Sequence, residues 1–190
     1  MWLSLVFRQL ASNLSPALGL LLPDGRIEMA APADKVQVTA ENPAAPECLR
    51  LIGQLTAELA QLYGDDGGAN SFNPLDALGR GALFFVARID GQAVACGALR
   101  SLERGVGEVK RMFVVPEARG QGISRLILQH LESAAIAMGY SRLRLETGIK
   151  QPEAIGLYES SGYYRTSLYG QYINDPRSVC FEKVLPTSSQ

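Results

Sequence analysis

The sequence predicts a mixed α/β domain, a mostly antiparallel central sheet flanked by helices. Three observations carry that reading. Several segments between residues 35 and 115 alternate apolar and polar side chains with the period of a strand. Two longer segments repeat apolar residues every three or four positions, as a helix with one buried face does. Strand patterning then returns after the second of these helices, so strands and helices interleave along one chain. At 190 residues, the chain is long enough to bury a full core without disulfide or metal staples.

Residues 1–34 lack a sustained period and are expected to form a poorly ordered extension, leaving 35–190 as a single domain. Ser15, Pro16 and Gly19 interrupt the apolar stretch Leu14 to Leu22 and Asp24 follows it, which argues against a secretory signal. Met29 is an alternative start. Val36 and Val38 open the first strand. A helix entered after Pro46 is expected to bury Leu49, Ile52, Leu55, Leu59 and Leu62, and Gly64 ends it. Asp65 to Asn73 reads as a mobile loop and Pro74 to Leu78 as a short helix. Ala82 to Asp90, Gln92 to Leu102 and Gly107 to Val115 form an antiparallel meander, with Asp90-Gly91 as the tight turn between the first two. A helix follows with Ile123, Ile127, Leu131, Ala134 and Met138 on one side, and Gly139 stops it. Leu143 and Leu145 mark a fifth strand, Pro152 to Ser160 a short helix closed by Gly162, and Tyr163 to Tyr169 with Ser178 to Val184 a final strand pair.

Composition narrows the function. Eighteen basic and nineteen acidic side chains leave a net charge of −1, and the arginines are spread from Arg8 to Arg177 without a basic block. No nucleic-acid partner is therefore expected. No apolar run approaches the ~20 residues needed to span a bilayer, so no membrane partner is expected either. Cys48, Cys96 and Cys180 are scattered, without a CxxC pair, which fits a reducing cytoplasm and small core residues. With His130 as the sole histidine, no multi-histidine metal centre can be built and no metal is expected. His130 itself lies one position off its helix's apolar stripe, where packing is the simplest role.

The informative stretch is Arg111-Met-Phe-Val-Val-Pro-Glu-Ala-Arg-Gly-Gln-Gly-Ile-Ser-Arg125: an apolar strand, a turn with two glycines, and the start of a long helix. Free amides at a helix N-terminus sit at the positive end of the helix dipole, and glycines let phosphate oxygens approach the main chain. A Walker A loop is excluded because no Gly-Lys-Ser/Thr follows. A dinucleotide fingerprint is excluded because Arg125 stands where its third Gly or Ala belongs. What remains is Arg-x-x-Gly-x-Gly/Ala. At Arg119, Gly122 and Ser124 it resembles the acetyl-CoA loop of the GCN5-related N-acetyltransferase (GNAT) family, with Ser124 departing from the usual Gly or Ala.

Two more segments resemble that family in the same order. Gly107-Glu-Val-Lys-Arg-Met-Phe-Val-Val115 is similar to its fourth strand, and Ala154-Ile-Gly-Leu-Tyr-Glu-Ser-Ser-Gly-Tyr163 to its Ala-x-x-Leu-Tyr-x-x-x-Gly-Phe/Tyr helix. The closing Asn174 to Lys183 is similar to a small bacterial branch. The resemblance implies the acyl-CoA N-acyltransferase fold, splayed between strands 4 and 5, with acetyl-CoA in the wedge as co-substrate. It implies main-chain bonds from Met112, Phe113, Val114 and Val115 to the pantetheine arm. It also implies a pyrophosphate held by Arg119, Gly120, Gln121, Gly122, Ile123 and Ser124, with Gln151 where relatives carry a cofactor-touching asparagine.

The implied reaction moves acetyl to a primary amine, on a small molecule or a peptide, by direct attack in a ternary complex. An amine of pKa near ~10 must lose a proton before it attacks. Glu108, at the head of the cofactor strand, is the first candidate base; the plainer reading is a solvent-facing strand residue paired with Arg100 or Lys110. Glu146 is its competitor. Tyr158 matches the family's general acid, and amides near Val114 would polarise the thioester carbonyl. Asp65, Asp66 and Asp76 lie where the family shapes its acceptor site and suggest a cationic amine. A non-catalytic acyl-CoA sensor is the alternative, and a homodimer is possible by the same resemblance.

Overall fold

The structure, a computed structural model, describes residues 20–21, 27–28, 36–66 and 73–186. The chain divides into two units, Met1–Val36 and Gln37–Gln190. In the first, Leu20–Leu21 and Ile27–Glu28 form a two-residue antiparallel ladder. The expected poorly ordered extension otherwise lies outside the described residues, as does most of the expected loop after Asp66.

From Val36 onward the elements are β1 (Val36–Ala40), α1 (Pro46–Tyr63), β2 (Leu83–Ile89), β3 (Gln92–Glu103), β4 (Val106–Val114), α2 (Ile123–Ala137), β5 (Arg142–Gly148), α3 (Pro152–Ser160), β6 (Tyr164–Thr166) and β7 (Ser178–Val184). The seven strands form one sheet in the order β1-β2-β3-β4-β5-β7-β6. Asp90 and Gly91 both adopt positive φ, 48° and 82°, the backbone that a two-residue hairpin between β2 and β3 requires.

β4 and β5 form the parallel pair, while β2–β3, β3–β4, β5–β7 and β6–β7 are antiparallel. The parallel ladder runs from Val106–Arg142 only as far as Val109–Leu145. β4 continues to Val114, held by β3 through Ala95–Val114, and β5 continues to Gly148, held by β7 through Gly148–Ser178. Each strand thus keeps its outer partner and loses its inner one. A bulge on β4 lies at the parting, where Arg111, with φ 53°, and Met112 together face the single residue Gly97 of β3. Such a bulge bends its strand and re-aims it.

α2 packs across β2, β3 and β4 through Ile123, Ile127, Leu128, Leu131, Ala134 and Ala135. Gly97 on β3 permits that approach, since a Cβ there would lie 2.6 Å from Ile127 Cγ2. Gly139, at φ 81°, ends the helix with its amide bonded to Ile136 and the Tyr140 amide bonded to Ala135. Met138 lies past the last turn and is exposed, contrary to the expected stripe.

The stripe of α1 needs a larger correction. Its buried residues are Cys48, Leu51, Ile52 and Leu55, whereas Leu49 is 45% exposed. Leu59 and Leu62 line the cleft described below. Periodicity identifies apolar positions but cannot tell a core from the wall of a cleft, and the second half of α1 overhangs the splay.

Candidate active site

The splay opens a cleft of about 1200 Å³. Val109 to Val114 form one wall and Glu146 to Gly148 the other. The C-terminal half of α1, the N-terminus of α2, Leu157 and Tyr158 of α3, and the segment from Gln171 to Ser178 close it.

At the α2 end, Gly120 and Gly122 both have φ 76°, and a Cβ on either would meet nothing within 4 Å. The space before them is open. Among the described residues, no protein acceptor takes the amides of Gly120, Gln121, Gly122, Ile123 or Ser124. These are orphan donors at a helix N-terminus, the arrangement that accepts an anion. The two flanking arginines are engaged elsewhere. Arg119 donates to the Val114 carbonyl at 3.0 Å and pairs with Glu58 at 2.6 Å, tying the end of β4 to α1. Arg125 donates to the Ser160 and Ser161 hydroxyls at 2.8 and 3.1 Å, clipping α2 to α3.

Along β4, the Val115 amide donates to Val94 at 2.8 Å, and Val115 does not line the cleft. Because successive amides alternate sides in an antiparallel strand, the Val114 amide is turned towards the open side. Met112 and Phe113 also line the wall. Gln151 lines the cleft too, but its Oε1 accepts from the Gly148 amide at 2.9 Å and the Thr147 hydroxyl at 3.0 Å, which closes the turn from β5 into α3.

The two candidate bases differ in place. Glu108 is 0% exposed and is not among the lining residues. Its Oε2 accepts from Arg100 Nε at 2.7 Å and its Oε1 from the Tyr169 hydroxyl at 3.0 Å. Glu146 is half-buried on the cleft wall and accepts from the Ser178 hydroxyl at 2.6 Å. Burial raises its pKa above the usual carboxylate value, with the Ser178 hydrogen bond and the charge of Lys110 opposing. Tyr158 also lines the cleft, its ring packed on Tyr163 and Phe181 with centroids 5.8 and 5.9 Å away. Burial, and then the charge of Glu146, pushes its pKa up, so the phenol stays protonated at neutral pH. The three cysteines are buried and none lines the cleft.

Asp65 faces the cleft but is paired with Arg177 at 2.6 Å, and Arg177 also holds Asp175 at 3.0 Å. The Asp76 side chain lies outside the described residues. His130 accepts the packing role, edge-on to Phe85 with centroids 5.8 Å apart. Among the described residues, no group of three or more His, Cys, Asp or Glu is placed to hold a metal ion, and no helix is long and apolar enough to cross a membrane.

Sequence reasoning passed over Tyr63, Tyr172, Ser178 and Lys110, all lining residues. Tyr172 and Ser178 come from or follow an irregular connection with no period to read. Lys110 carried a signal: it is a lysine inside an apolar strand run, buried in the structure.

Residues 54–163 match the Acetyltransferase (GNAT) family. The chain belongs to that family. It is 40% identical to the IAA acetyltransferase of Azospirillum brasilense over 152 residues, 79% of this chain and 98% of that protein. A Klebsiella pneumoniae structure described as an acyl-CoA N-acyltransferase superposes with a TM-score of 0.67 at 34% identity, covering 79% of this chain and 97% of that one. A GNAT family acetyltransferase from Elizabethkingia anophelis, with acetyl-CoA bound, shares the fold at a TM-score of 0.60 and 17% identity over 80% of this chain and 99% of that one. As a GNAT family member the chain is an acyltransferase, and its mixed sheet with one parallel pair is the fold expected from its motifs.

Proposed function

We propose that this GNAT protein moves acetyl from acetyl-CoA to a primary amine by direct attack in a ternary complex. The observation that carries the reading is the run of unpartnered amides from Gly120 to Ser124 at the rim of a cleft whose apex holds Glu146 and whose wall holds Tyr158. Those amides would take the pyrophosphate. From Val114 back to Lys110 is about 13 Å at ~3.3 Å per residue, so a pantetheine arm threaded along β4 would bring its thioester towards the apex.

Glu146 is the base in this scheme, because it reaches the cleft and Glu108 does not. It takes one proton from the acceptor ammonium. The freed lone pair forms the N–C bond at the thioester carbonyl, whose developing oxyanion the Val114 amide stabilises. Collapse breaks the C–S bond. Tyr158 gives its proton to the departing thiolate and regains one from the new amide nitrogen, and Glu146 returns its proton to solvent. No covalent enzyme intermediate is needed, in keeping with a cleft lined by no cysteine. Double-reciprocal plots against both substrates are therefore expected to intersect; parallel lines would require an acyl-enzyme instead.

Calorimetric titration with acetyl-CoA, followed by thiol release with a panel of amines, tests the reading. Gly122→Val is expected to weaken acetyl-CoA binding about tenfold or more, since left-handed backbone costs a β-branched residue about 1–2 kcal/mol and its side chain would enter the anion space. Unaltered affinity in that variant would remove the loop from the binding site.

A further inference from the structure

Lys110 and Glu146 are the first residues beyond the last paired level, Val109–Leu145, of the parallel ladder. Had the ladder continued, they would stand side by side on one face. Both line the cleft at its apex. Each feels the other's charge, yet among the described residues no salt bridge joins them. Each is held instead by a neutral hydroxyl. The Lys110 ammonium donates to Tyr172, whose ring centroid lies 5.1 Å from Nζ, and Glu146 accepts from Ser178 at 2.6 Å.

A lysine ammonium has three donors. One reaches Tyr172, and among the described residues no other acceptor takes the remaining two. Burying such a cation without a bonded carboxylate is unfavourable unless something completes it. The other charges near this end are otherwise engaged: Glu108, whose charge Lys110 also feels, with Arg100, Asp65 and Asp175 with Arg177, Lys150 with the Leu62 carbonyl, and Arg111 and Asp66 with contacts of their own. Lys110 and Glu146 thus form a parted ion pair, with cation and anion facing one cavity from opposite arms of the splay.

We infer that the acceptor is an amino-carboxylate, a small molecule or chain end bearing both the reacting amine and a carboxylate, whose carboxylate is taken by Lys110 while its ammonium is taken by Glu146. The inference rests on the acetyl transfer proposed above and narrows its substrate class. A zwitterion completes both halves of the pair, and a buried charge-assisted hydrogen bond orients as well as binds. It also aims the amine at the base, so the same contact that selects the substrate sets the proton transfer.

The test compares matched acceptors in the thiol-release assay: amino acids, their amides, and the amines left by removing the carboxylate. Amino-carboxylates are expected to exceed their decarboxylated and amidated counterparts by about 30-fold or more in kcat/KM, mainly through KM. In Lys110→Met that preference should shrink to within a few-fold, and Lys110→Arg should retain most of it, with thermal melts and acetyl-CoA titration reporting the folded state of each variant. Should Lys110→Met not fold, the comparison of acceptors on the unaltered protein still decides. Equal or faster turnover of the decarboxylated amines overturns the inference, as does acetyl-CoA binding with no amino-carboxylate acetylated. Absence of acetyl-CoA binding would instead overturn the reading beneath it.

Discussion

Glu146→Gln is expected to lower kcat/KM by about 10²–10⁴-fold, the usual contribution of a positioned general base, while leaving acetyl-CoA affinity within a few-fold. The substitution keeps the shape and the Ser178 contact but cannot accept a proton. The pH profile supplies a second readout. Burial favours the neutral form of Glu146, so its pKa lies above the ordinary carboxylate value. A base must be ionised to work, hence activity should fall as pH drops through that raised pKa and recover above it. In Glu146→Gln the acid limb should flatten. A variant with near-normal kcat/KM and the same limb would exclude Glu146 and return the role to a water-relayed Glu108.

Arg100→Met should destabilise the fold by about 3 kcal/mol, near the lower end of the range for breaking a buried pair because Arg100 is partly exposed. At ~2–4 °C per kcal/mol for a chain of this size, the midpoint of thermal unfolding would drop by about 6–12 °C. The cause is the carboxylate left behind: Glu108 sits fully inside the sheet, and the Tyr169 hydroxyl would be left to donate to it. Adding Glu108→Gln should recover a substantial part of the loss, since a neutral amide tolerates burial better than an orphaned charge. A double variant no more stable than Arg100→Met would mean that lost arginine packing, not the stranded charge, sets the cost.

These two glutamates mark where reading the chain in one dimension stops. Both stand on strands at the splay, each beside one large apolar neighbour, Val109 or Leu145, and spacing alone leaves them equivalent. Their difference is one of depth. Glu108 lies at a level where β4 and β5 are still paired, opposite Arg144, so it is enclosed by neighbouring strands. Glu146 lies one level beyond the last pair, where the strands part and a cleft begins. A shift of one ladder step separates an enclosed charge from one that faces an open cleft, and such a shift depends on long-range register.

The same logic governs the apolar residues of α1. Ile52 and Leu62 fit one helical stripe, yet one is core and the other forms the cleft lip, because the helix is longer than the sheet surface beneath it. The Arg119–Glu58 contact is a further instance, joining residues 61 positions apart that no local pattern links.

Local chemistry was enough to foretell the Asp90-Gly91 hairpin, the span of α3, the Gly139 stop and the two-glycine turn that opens α2, since each depends on neighbouring residues and their φ preferences. Which carboxylate reaches the cleft, and that Lys110 and Tyr172 meet there from positions 62 residues apart, came from the folded arrangement alone. Contacts between distant segments are set by strand pairing and bulges, which leave no period in the chain to read.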